Sequence, residues 1–264
     1  MRETTVTQRL AILLLRLAII GLFVSLWSAI SSLGLSFDRL FPSPWAVAAT
    51  ALSLLVEGDF LPHLLFTLYE VAWGFAIGAS GGAAVGLALG ANRSAGAIFE
   101  PIILWLAPVP KIILYPIFLW FLGIGMASRV GMGVASSFFP VAIYAATGVR
   151  QVKPVLLEAA RLLGAQRRQI VLKVYLPAIV APLWLGLRLG GAVAFIGILL
   201  AETKLSQKGL GFLIIEYYNH FQIAEMYAVL LLVFLIAIAF NLAFSYTQNK
   251  VVVLREAQIR KSVG

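Results

Sequence analysis

Residues 154–177 read PVLLEAARLLGAQRRQIVLKVYLP, and the reading of the whole chain turns on this stretch. Pro154 suits the first turn of a helix, where its missing N–H is no loss. Val155, Leu156, Ala159, Leu162 and Leu163 recur at helical spacing, with Glu158 and Arg161 among them. Glu158 lies in the first turns, where a helix dipole favours negative charge. Gly164 predicts the helix end, because glycine takes the left-handed conformation at no steric cost. A second helical stretch, 167–175, follows, and Leu176-Pro177 then opens a long apolar run. With Arg150, Lys153, Arg161, Arg167, Arg168 and Lys173 on or beside it, the segment is too polar to cross hydrocarbon. It is also too patterned for a loose linker.

On both sides the chain is strongly apolar. Of 264 residues, 61% are hydrophobic and 12% charged, against roughly 25% charged in soluble domains; the mean hydropathy is +0.98. So few charges make no polar skin for a soluble fold, and so much apolar mass excludes a disordered chain. The absence of cysteine excludes disulfide scaffolds and thiolate metal sites. His63 and His220 stand alone, so no metal site is expected. Crossing a bilayer takes roughly 20 apolar residues. Six runs qualify, at about 10–32, 64–90, 98–122, 130–149, 178–201 and 224–246. The first is too long for the apolar part of a signal peptide and reads as an uncleaved helix. The expectation is an all-α, polytopic membrane protein with about six transmembrane helices, a single transmembrane domain over 1–264.

Charge sets the expected orientation. Arg2, Arg9, Arg16, Arg93, the basic residues of 150–177, and Lys250, Arg255, Arg260 and Lys261 make 14 of the 20 basic residues, and six crossings put them on one side. The other side has Arg39, Arg129, Lys204 and Lys208 beside Asp38, Glu57, Asp59, Glu216 and Glu225. The positive-inside rule then makes both termini and the 150–177 loop cytoplasmic. The net charge of +9 is thus explained by topology, without nucleic acid. FPSP at 41–44 and a short helix over 45–56 fall outside.

Within the membrane three features stand out. Gly74, Gly78, Gly82, Gly86 and Gly90 form one stripe, which either packs helices closely within the chain or gives a sliding contact during gating. Pro101, Pro108, Pro110 and Pro116 break the third run, which is expected to border a translocation path because freed carbonyls need protein or water. Trp105, Tyr115 and Trp120 on it, with Trp73 and Tyr144, are candidate lining residues or plain interface anchors. Glu70, Lys111, Arg188 and Glu202 are intramembrane charges and so pathway candidates. The alternative is structural pairing, such as Glu70 with Arg129, or snorkelling.

For the 154–177 loop the residues alone serve two readings equally: a docking surface for a partner, or an interfacial helix on anionic lipid. Glu158-Ala159-Ala160, Gly164, Val174 and Leu176-Pro177 carry the spacing of the EAA signature, and the segment resembles that of permease subunits of binding-protein-dependent ABC importers. Only Val174 departs, standing where the family usually has isoleucine. FPSP, PVPK at 108–111 and GLGFLI at 209–214 are similar to the nitrate/sulfonate/taurine branch. The resemblance implies the type I ABC importer permease fold, in which Glu158, Ala159, Ala160, Gly164, Leu176 and Pro177 couple the chain to an ATPase. It also implies two copies of that ATPase carrying ATP and Mg, a second permease copy, and a periplasmic or lipid-anchored binding protein, in the bacterial inner membrane. The solute class implied is small oxyanions, sulfonates, thiamine-precursor-like or aromatic compounds. The chain has no GxxxxGK[ST], so ATP hydrolysis is expected elsewhere and no catalytic residue or cofactor here. An ion-driven secondary transporter is the alternative; it predicts matched broken helices.

Overall fold

The structure, a computed structural model, describes residues 6–32, 40–57 and 60–263. Of the charges counted above, Arg2, Asp38, Arg39 and Asp59 lie outside the described residues, as do the side chains of Arg9, Glu57, Lys250, Arg255, Arg260 and Lys261. Every regular element among the described residues is helical: α1 Val6–Ser32, α2 Pro44–Glu57, α3 Phe60–Ala91, α4 Arg93–Leu106, α5 Tyr115–Leu122, α6 Met126–Arg150, α7 Pro154–Leu162, α8 Arg167–Ile170, α9 Leu176–Leu205, α10 Leu210–Asn219 and α11 Ile223–Val263. A 3-10 turn, Lys111–Leu114, leads into α5, and a π turn, Val171–Tyr175, joins α8 to α9.

Five helical runs are long and apolar enough to cross a membrane: 10–32, 60–91, 126–150, 167–205 and 223–248. The sixth candidate is α4 with the Lys111–Leu122 segment, bent by 95°. The prolines expected to break this run do so unequally. Pro101 rides inside α4 and Pro116 sits in the first turn of α5, so the break falls at Pro108 and Pro110.

Two boundaries differ from expectation. The 167–175 stretch is no separate helix, because it runs through the π turn into α9 as one 39-residue helical run, Arg167–Leu205. Pro177, with no N–H to donate, falls in the first turn of α9 just past the π turn, where local widening lets the helix continue. The sixth helix also does not stop near 246 but continues to Val263.

The chain divides into two compact units, Met1–Leu61 with Leu213–Val233, and Pro62–Phe212 with Phe234–Gly264. In the first, Trp27 Nε1 donates to the Pro42 carbonyl at 3.0 Å and Ser31 Oγ to the Phe41 carbonyl at 3.1 Å. The rings of Trp27, Phe41 and Tyr227 cluster with centroids 6.1–6.3 Å apart. FPSP is thus pinned at its carbonyls, and Pro44 starts α2 where a missing N–H is harmless.

The second unit is built on α6, which has close-packed helices on two faces. The glycine stripe of α3 lies on one. A methyl built on Gly82 would come 2.5 Å from the Phe138 carbonyl oxygen, one on Gly90 2.7 Å from Val149 Cβ, and one on Gly74 3.0 Å from Gly133 Cα. On the other face, Cβ atoms at Gly186 and Gly190 of α9 would lie 2.8 and 2.9 Å from Tyr144 and Val141. Small residues at these crossings let backbones approach where lipid offers no hydrophobic drive. The stripe therefore lies inside the chain, against α6.

Candidate functional site

α7 is a short helix whose ends are set by its sequence. Lys153 precedes it and Pro154 occupies its first turn. At its other end Gly164 has φ +76°. The Gly164 N–H donates to the Arg161 carbonyl at 2.9 Å and the Ala165 N–H to the Ala160 carbonyl at 3.0 Å. This paired arrangement is the Schellman motif, which satisfies carbonyls a helix end leaves open. Downstream, the Gln169 side chain accepts the Gln166 N–H at 2.7 Å and restarts the helix. One detail changes: Glu158 is the fifth residue of α7, past the first turn, so the dipole argument for it lapses.

The two faces of α7 differ. Leu157 packs with Val149, Val152, Tyr175 and Ile179, a buried cluster made by the end of α6, the π turn and the start of α9. Val155, Leu156, Leu162 and Leu163 point away, and the two last are 89% and 87% exposed. Glu158, Ala159, Gly164, Leu176 and Pro177 are exposed as well, and Ala160 is half-buried. Leu157 thus ties α7 to the end of α6 and the start of α9 through a packed apolar cluster. Near this end Arg150 of α6 pairs with Glu100 of α4.

The intramembrane charges fall into distinct environments. Glu70 of α3 is sealed against Arg129 of α6, with Nε at 2.8 Å and Nη2 at 2.7 Å from Oε1. Arg129, counted above with the surface charges, is 5% exposed. Glu202 of α9 accepts the Thr67 hydroxyl at 2.8 Å and the Gly211 N–H at 2.8 Å, and Thr67 Oγ1 in turn accepts the Leu210 N–H at 2.8 Å. His63 Nδ1 lies 3.0 Å from the Gly209 nitrogen. The GLG turn at 209–211 is thus tied to α3 and α9 by buried polar groups.

Lys111 closes the helix break. Its ammonium donates to the carbonyls of Leu106, Ala107 and Val109 at 3.0, 2.9 and 2.6 Å and sits 4.6 Å from the Phe139 ring centre. An ammonium has three donors, and all three go to carbonyls at the helix break, of which Leu106 also accepts the Val109 N–H at 3.3 Å. Arg188 Nε donates to Asn241 Oδ1 at 2.7 Å, beside a cavity of about 350 Å³ between α9 and α11.

A larger cavity, about 450 Å³, is lined by the α4–α5 break, α6 and α9, and it includes Lys111 and Tyr144. Of the aromatic candidates only Tyr144 reaches it. Tyr115 is buried, while Trp73, Trp105 and Trp120 are 49%, 75% and 85% exposed and line no cavity described here. Among the described residues no three His, Asp or Glu side chains gather at metal-binding distance. Sequence reasoning missed Thr67, Ser136 and Asn241. One signal was available, Thr67 one turn before Glu70; Ser136 lies against Gly197 of α9 and Asn241 against Arg188, pairings between helices that spacing does not reveal.

Among the described residues the chain is all-helical, with five helices, or six if the broken pair is one, long and apolar enough to cross a membrane, which is the make-up of a polytopic membrane protein. A family profile described as "Binding-protein-dependent transport system inner membrane component" matches residues 78–252. A probable ABC transporter permease protein of Haemophilus influenzae is 32% identical over 88% of this chain and 94% of its own. A putative aliphatic sulfonates transport permease protein, SsuC of Bacillus subtilis, is 29% identical over 79% and 75%. The inward-facing MetNI methionine ABC transporter matches in fold with TM-score 0.54 and 21% identity, over 81% of this chain and 96% of that one. The chain belongs to the family of binding-protein-dependent transport system inner membrane components and is a permease subunit of an ABC importer.

Proposed function

We propose that α7 is the coupling helix through which a separate ATPase drives this permease. The observation that carries the reading is the pair of faces on α7: Leu157 keyed into the α6–α9 joint, and Leu162 and Leu163 turned outward, 89% and 87% exposed among the described residues. Exposed apolar side chains on a short polar helix favour a protein partner. On this reading Glu158, Ala159, Ala160 and Gly164 shape the docked surface, and Leu176-Pro177 pass its motion to α9. Two ATPase subunits hold ATP and Mg and serve two permease copies. A binding protein delivers solute on the opposite side, and the termini and α7 face the cytoplasm of a bacterium. The sulfonate permease among the relatives supports a small organic oxyanion as solute.

Leu162→Arg combined with Leu163→Arg tests the docking. The permease should fold, since both side chains are exposed, yet lose its ATPase on purification and lose uptake. Retained ATPase and retained uptake in the double variant overturn the reading.

A further inference from the structure

We infer that the 450 Å³ cavity beside Lys111 binds an organic anion carrying an apolar group, so that the permease itself selects among solutes. The inference rests on the importer reading above and adds a recognition site to it.

The cavity falls in the volume range of small-molecule sites, about 300–1,000 Å³. Its wall is mostly apolar, with Met132, Ile143, Val193 and Ile196 among the lining side chains. Three residues with polar side chains, Lys111, Ser136 and Tyr144, interrupt that wall. Ser136 is 6% exposed and lines the cavity. A hydroxyl in a cavity wall can donate to an acceptor held there.

Charge points the same way. The protons of Lys111 are held by neutral carbonyls, which leave its positive charge in place. Among the described residues the ion pairs are Glu70 with Arg129 and Glu100 with Arg150, and neither acid faces Lys111. An uncompensated cation in the wall of an apolar cavity at membrane depth favours an anion. The headgroup is then placed near Lys111, where Ser136 and Tyr144 donate to it, and the apolar lining takes the rest of the molecule. A bare inorganic oxyanion satisfies the polar groups but leaves the apolar wall wet. Ile196 is 53% exposed, which gives the cavity an open side for entry.

The test is calorimetric binding to the full-length permease in neutral-lipid nanodiscs, with no ATPase and no binding protein. The probes are nitrate and a series of linear alkanesulfonates. Affinity should rise about fourfold per added methylene until the cavity fills, with nitrate far weaker. Ser136→Ala should weaken every sulfonate by about tenfold. Ile196→Trp, which fills the open side, should remove the chain-length dependence, and Val193→Phe serves the same purpose from another wall. Affinity flat with chain length, or unchanged in both cavity-filling variants, overturns the inference. So does loss of sulfonate binding on adding anionic phospholipid, which identifies a lipid as the occupant. ATPase coupling is read in a separate preparation, so a failed docking test leaves this one intact.

Discussion

Arg129 grips Glu70 with two nitrogens, Nη2 at 2.7 Å and Nε at 2.8 Å, in a pair whose side chains are 7% and 0% exposed. The contact joins α3 to α6 one turn before the glycine stripe begins at Gly74. Removing one partner of such a pair leaves a buried charge uncompensated and costs about 3–5 kcal/mol. Glu70→Gln and Arg129→Met should each lower the thermal midpoint of the purified permease sharply. The double variant Glu70→Gln/Arg129→Met should recover much of the loss. A double-mutant cycle showing simple additivity contradicts this account.

The glycine stripe predicts a sharp contrast between positions. Gly86 faces Ala142 and Ala145 of α6, and a side chain there meets backbone that has no room to move. Gly86→Leu should destabilise the chain by more than the ~1–3 kcal/mol of ordinary overpacking. Gly21 on α1 has open space around it, so Gly21→Leu should be close to neutral. Denaturation midpoints of the two variants in one detergent make the comparison.

At Gly164 the surroundings are open, and only φ +76° matters. A β-branched residue in this conformation pays roughly 1–2 kcal/mol and loosens the end of α7. Gly164→Val should leave expression intact while ATP hydrolysis no longer yields uptake. Gly164→Asn, which tolerates the left-handed region, should keep a large share of transport. Full uptake in Gly164→Val removes the turn from the coupling argument.

These residues show what the sequence made legible. The apolar runs, the helix end at Gly164 and the break at Pro108 and Pro110 are local consequences of composition and backbone chemistry, and the structure has all of them. Pairings across the chain were not legible in the same way. Glu70 could be matched with Arg129 only as one option, because a sequence reports depth along a helix and not its facing neighbour. Lys111 could be marked as a pathway candidate, but the sequence did not show that three carbonyls at the helix break hold its ammonium. Trp105 and Trp120 are 75% and 85% exposed, a placement the sequence did not give because aromatic character does not say which way a bent helix turns.

Lys111 therefore yields its own prediction. Lys111→Met leaves the carbonyls of Ala107 and Val109 without their side-chain donor at the helix break, while Leu106 keeps the Val109 N–H, and each unsatisfied group costs about 1–3 kcal/mol. The α4–α5 turn should open, seen as faster amide exchange over 106–115. Lys111→Arg keeps donors for the same carbonyls and should restore most of the protection. Equal exchange in all three proteins would show that the ammonium is not what closes the break.

Gly209 offers the most exacting case, because two separate effects act there. Its φ is +107°, a conformation side chains rarely adopt, and an added Cβ would run into the Glu202 carboxylate. That carboxylate is held by Thr67 and by the Gly211 N–H, both at 2.8 Å, so it has no room to retreat. Gly209→Ala should release the 206–211 turn and lower the thermal midpoint. Glu202→Ala alone should also destabilise, since the Gly211 N–H and the Thr67 hydroxyl lose their acceptor. Combining the two removes the clash but keeps the backbone strain. The double variant should therefore be less destabilised than the sum of the singles, though still weaker than Glu202→Ala alone. If the double variant equals the sum, the Cβ and the carboxylate do not compete for the same space, and the tie between this turn and α3 must be drawn differently.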